Sequence, residues 1–116
     1  MKPLLVLSLL LTAGCTGFAA SKSGTFTGEI MDRACAKMGS HENMMQAEGA
    51  KSAKECTLAC IKNGDKFALF DSSTKKVYPI DDDKKVQAFA GQRVQISGSY
   101  DDKADVLRVD SIAAAH

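Results

Sequence analysis

Apolar and polar residues alternate in short runs along most of this chain. Thr25 to Met31 places Phe26, Gly28 and Ile30 on one side, which predicts a first strand. Lys66 to Phe70 and Lys76 to Ile80 flank Asp71-Ser72-Ser73-Thr74 and predict a hairpin. Pro79 has no N–H for a ladder, so it belongs at a strand end or an edge. Val94, Ile96, Gly98 and Tyr100 alternate with Arg93, Gln95, Ser97 and Ser99, the cleanest half-buried strand in the chain. Leu107 and Val109 alternate with polar neighbours and Ile112 closes the last strand, leaving Ala113 to His116 as a frayed tail.

Helical signals sit between these strands. Ser52-Ala53-Lys54-Glu55 is a capping box, so a helix is expected from Ala53 to about Asn63, with Gly64 as its left-handed stop. At 100° per residue, Cys56 and Cys60 share a face opposite Lys54, Glu55 and Lys62, and so face the domain body. Asp32 to Lys51 carries no strand pattern, and Ser40 can cap a short helix that stops at Gly49. Asp81-Asp82-Asp83 offers a cap for a short helix through Val86 to Ala90 that stops at Gly91. Five short strands, with a helix between the third and fourth, predict a mainly β fold. It is an OB-like five-stranded Greek-key barrel with a helical, cysteine-bearing insert after strand 1.

Composition refines this picture at the N-terminus. Met1-Lys2 is a basic start, Pro3 to Leu11 is an apolar run, and small residues follow through Ala20. Those are the regions of a signal peptide, too short to span a bilayer. Residues 1–20 are therefore expected to direct export, and residues 21–116 to form one domain. Thr12-Ala13-Gly14-Cys15 is an imperfect lipobox that would make Cys15 a lipidated N-terminus instead. Loss of Lys2 takes the fifteen basic residues to fourteen, against fourteen acidic. A neutral surface has no electrostatic footprint for nucleic acid and is not steered to an anionic membrane. No second apolar stretch is long enough to cross a membrane.

The residues just described resemble a group of small exported bacterial domains of unknown function, similar to bacterial periplasmic OB-fold proteins. The resemblance rests on Thr25 to Asp32 with Cys35, then His41, Glu55 to Gly64, Lys76-Val77-Tyr78 and Ala90 to Gly98. It covers nearly the whole mature chain and implies a compartment and a fold, but no activity.

Export leaves three cysteines, Cys35, Cys56 and Cys60, which cannot all pair within one chain. A Cys56–Cys60 bond is disfavoured. Residues four apart on a helix hold their β-carbons about 5–6 Å apart, and a disulfide needs about 3.8 Å. Cys35 can bond to either, closing a loop of roughly 20–25 residues for about 3 kcal/mol. In a domain that buries modest surface, such a staple matters. Alternatively Cys35, His41, Cys56 and Cys60 supply three sulfurs and a nitrogen for zinc or copper(I), with Met44 and Met45 beside His41 favouring copper. A third reading is thiol redox chemistry: Cys56 lies in a first helical turn, where the dipole favours the thiolate, but the sequence fixes no base beside it. A spare thiol could also crosslink two copies.

Other chemistry has less support. The acidic runs at 81–83 and 101–102 read as solvated caps without the spacing of a calcium loop. Phe67, Phe70, Tyr78 and Tyr100 read as core, with a stacking surface as the functional alternative. No Ser/His/Asp set, phosphate loop or dinucleotide fingerprint occurs. The expectation is a non-enzymatic exported binding domain, pinned by a disulfide or a metal; its partner is a small ligand, a metal ion or a protein.

Overall fold

The computed structural model describes residues 21–40 and 51–115. The expected signal peptide, Cys15, His41, Met44, Met45 and the helix expected after Ser40 lie outside the described residues. Among the described residues no helix is long and apolar enough to cross a membrane.

The fold is mainly β: one five-stranded antiparallel sheet in the order β3-β2-β1-β4-β5, with a few short helices. The strands are β1 (Ser21–Asp32), β2 (Phe67–Asp71), β3 (Lys76–Pro79), β4 (Arg93–Asp101) and β5 (Val106–Ala114). Central β1 changes partner along its length. It pairs with β4 from Ser21 to Glu29 and with β2 from Glu29 to Asp32. That division carries the end of β1, and Asp32 with it, away from β4 and under the helical connection.

The sheet does not close into the expected barrel. Its edge strands, β3 and β5, are joined by a single parallel bridge between Ile80 and Leu107. Two features of β3 explain this: it is four residues long, and its last residue, Pro79, has no N–H to extend a ladder. At the C-terminus the expected frayed tail is instead strand. Ala113 and Ala114 pair with Gln95 and Val94, and Ala115 N–H donates to Arg93 O at 2.9 Å.

Helix α1 (Arg33–Met38) follows β1, where the sequence carried no clear signal. Asp32 caps it, Oδ2 accepting from Cys35 N–H at 3.0 Å, and Gly39 ends it in the left-handed region. Asp65, from just before β2, adds a second acceptor for Ala34 N–H at 3.1 Å. Helix α2 (Ala53–Lys62) matches its signals: Ser52 Oγ accepts from Glu55 N–H at 3.1 Å, and Gly64 follows with positive φ. The Glu55 carboxylate reaches back to Lys51 N–H rather than to Ser52. Helix α3 (Asp83–Val86) and a 3-10 turn (Gln87–Phe89) lie between β3 and β4. Here the acidic run does not cap: Asp82 Oδ2 accepts from Val109 N–H at 3.3 Å and Asp81 pairs with Arg33 at 3.2 Å.

The main core joins Ile30, Phe67, Leu69, Ile80, Val94, Ile96 and Leu107, and Leu58 and Ile61 of α2 pack against it. A smaller cluster of Met31, Ala36, Ala68 and Phe70 fills the space under α1. Phe67 to Phe70 are therefore all buried, because both faces of β2 are covered.

Candidate functional site

Asp32, Arg33 and Cys35 lie where β1 runs into α1, and Cys56, Thr57 and Cys60 lie on α2, which packs on the sheet. Alternation along β1 puts Gly28, Ile30 and Asp32 on one buried side, so the strand ends by burying a carboxylate. Asp32 stays there because it serves two elements at once. It pairs in register with Phe67 of β2, and its Oδ2 caps α1. Arg33 anchors the same corner. Its N–H donates to Lys66 O at 2.9 Å, and its guanidinium reaches Phe67 O and Asp81.

Cys35, one turn into α1, is fully buried. Cys56 and Cys60 are buried on the inner face of α2, as the helical spacing predicts. Cys56 lies near enough to Cys35 to act on its thiol. Burial pushes the Cys35 thiol far above its ordinary pKa; its hydrogen bond to Asp32, the charge of that carboxylate, and then the neighbouring Cys56 all push the same way. The physical reason is plain. A thiolate at Cys35 would be a second negative charge in a dry site, whereas the neutral thiol donates to the carboxylate.

Among the described residues, no two of the three sulfurs are at disulfide bonding distance. Nor is any group of three or more His, Cys, Asp or Glu side chains among them arranged to hold a metal. His41, Met44 and Met45, which complete the predicted metal set, lie outside the described residues.

Two polar atoms here escape sequence reasoning. Asp32 Oδ1 and Thr57 Oγ1 are buried without a hydrogen-bond partner. Asp32 was legible in principle: its position continues the core-facing alternation of β1, where an acid is out of place. Thr57 had no such signal, because a threonine next to Cys56 is ordinary on a half-buried helix.

The aromatic residues form a separate group. Phe26 and Tyr78 meet edge-on at 5.2 Å, Tyr78 and Tyr100 at 5.0 Å, and the Lys76 ammonium sits 4.5 Å from the Tyr100 ring centre. Tyr100 belongs to the main core, and Phe26 and Tyr78 pack half-buried against it. Tyr100 also donates its hydroxyl to Asp105 Oδ1 at 2.5 Å. Comparison of the chain with protein-family models, curated proteins and solved structures finds no match.

Proposed function

We propose that this chain is a small exported binding domain of the OB type, with the connection between β1 and β2 fastened by a Cys35–Cys56 disulfide once oxidised. What supports the reading is that both thiols are buried, one on α1 and one on α2, with Cys56 near enough to act on Cys35. Closing a loop of roughly 20 residues there would contribute about 3 kcal/mol by the chain-entropy estimate. For a domain of this size that is a large share of the usual 5–15 kcal/mol or so.

The strand order, the helical turn between β3 and β4, and the parallel contact between Ile80 and Leu107 support the OB type, which is itself a partly open Greek-key barrel. The binding role rests on analogy with such domains, whose ligands lie against loops beside the sheet. Copper(I) or zinc, held by Cys35, Cys56 and Cys60 with His41, is the second reading. What favours it is that Cys56 and Cys60 are both buried on one face of α2, with Cys35 against Cys56.

Intact mass spectrometry of the exported protein, with and without alkylation, separates these readings. The disulfide predicts a mass two hydrogens below the thiol form, one alkylatable thiol after unfolding, and a crosslinked peptide joining Cys35 to Cys56. Three alkylatable thiols in a metal-free protein would overturn it. Three thiols protected by added copper or zinc, with protection lost in His41→Ala, would establish the second reading instead.

A further inference from the structure

We propose that the face of the sheet beside α1 binds a free α-amino acid with an apolar side chain, its carboxylate on Arg93 and its ammonium on Glu29. This rests on the reading of the chain as a binding domain and adds a place and a ligand class. It does not depend on a Cys35–Cys56 bond.

Glu29 is the one residue of β1 that pairs on both sides, with Phe70 of β2 and with Arg93 of β4. Side chains at register partners stand on the same face of a sheet. Phe70, Glu29 and Arg93 therefore form a row across three strands. Their chain neighbours Leu69, Ile30 and Val94 enter the main core, so the row lies on the opposite face. Helix α1 covers one end of that face, over Met31, Ala68 and Phe70. It reaches no further, because it ends at Gly39 in the left-handed region, where a Cβ would stand 3.7 Å from Phe70 Cζ. The uncovered part is a cavity of about 500 Å³, lined by the row together with Met31 and Gly39. That volume lies within the range of about 300–1,000 Å³ usual for small-molecule sites.

The order along the row selects the ligand. Phe70 is apolar, Glu29 half-buried and negative, Arg93 exposed and positive. Neighbouring strands are about 4.8 Å apart, so an apolar edge and two opposite charges fall within the reach of one small molecule. An α-amino acid carries an ammonium and a carboxylate on a single carbon, with the side chain as its third arm. Arg93 makes none of the side-chain hydrogen bonds or ion pairs found among the described residues, and its planar fork suits a carboxylate. Met31 and Phe70 are already packed, at 2% and 6% exposure, so the ligand meets a preformed floor and orders little on binding. A ligand with one charge only would leave the opposite charge of the site without a counterpart.

The test is an NMR titration of the isotope-labelled exported protein with three probes: L-phenylalanine, 3-phenylpropionate and phenethylamine. The two analogues lack the ammonium and the carboxylate respectively. L-phenylalanine should give saturable shifts at Glu29, Gly39, Phe70 and Arg93, and bind at least about tenfold more tightly than either analogue, the usual effect of one charged hydrogen bond. Arg93→Gln should abolish the preference over phenethylamine, and Glu29→Gln the preference over 3-phenylpropionate. The comparison of probes on the wild type needs no variant, so misfolding of a variant would not spoil it. Saturable binding that maps elsewhere, or equal affinity for all three probes, would overturn this site and leave the binding-domain reading standing. No saturable binding at millimolar L-phenylalanine would overturn the ligand class, while the disulfide is decided separately by mass.

Discussion

Thr57 Oγ1 and Asp32 Oδ1 are both buried without a hydrogen-bond partner, yet they differ in consequence. Asp32 caps α1 through its other oxygen and faces the Cys35 thiol, so its burial has local compensation. The Thr57 hydroxyl gains none. An unsatisfied buried polar group costs about 1–3 kcal/mol, and Val has nearly the same shape without the hydroxyl. Thr57→Val is therefore expected to raise stability by about 1 kcal/mol, read as a higher urea midpoint at unchanged slope. A lower midpoint would mean that the hydroxyl has a partner in solution, such as an ordered water. At this scale the sequence was informative about the cysteines, because the 3.6-residue period puts Cys56 and Cys60 on one inward face. It was silent on how near Cys56 comes to Cys35, because that depends on how α2 packs.

Among the elements, those with strong local chemistry were legible. The Ser52 cap and the Gly64 stop bracket α2, and strict alternation marks β4. Helix α1 was not legible. It is six residues long, and part of its N-terminal support comes from Asp65, thirty-one positions away in sequence. The C-terminal strand was read too short for a similar reason: Ala113 and Ala114 have little strand preference of their own and are held by pairing with β4. That pairing also fixes the role of Gly98. The ladder between β4 and β5 shifts register at Ser97/Gly98, and a Cβ at position 98 would overlap the Arg108 carbonyl oxygen. Gly98→Ala should force the strands apart and destabilise the protein by about 1–3 kcal/mol. Thermal unfolding checks this, and Ser97→Ala, one position earlier, serves as the control with little expected effect.

For the molecule as a whole, stability should fall at high pH through Tyr100. Its hydrogen bond to Asp105, then burial, raise the phenol from 10.0 to about 12. The fold thus favours the protonated phenol. The contribution is fully present below pH 10 and is lost as pH rises through about 12. Urea unfolding of wild type should weaken more steeply over that window than that of Tyr100→Phe, and parallel curves would refute the assignment. The predicted class, a small mainly β domain of five strands, followed from residue order alone, because period-2 alternation and turn chemistry are written locally. The degree of closure was not, since it depends on how a four-residue strand ending in proline meets β5 across the molecule. By itself the sequence determined the strands, the longer helix and the inward burial of its two thiols, because each follows from spacing within a dozen residues. Tertiary structure alone decided that the sheet stays open and that Cys56 of α2 comes near Cys35 of α1, because those arrangements join segments that only packing brings together.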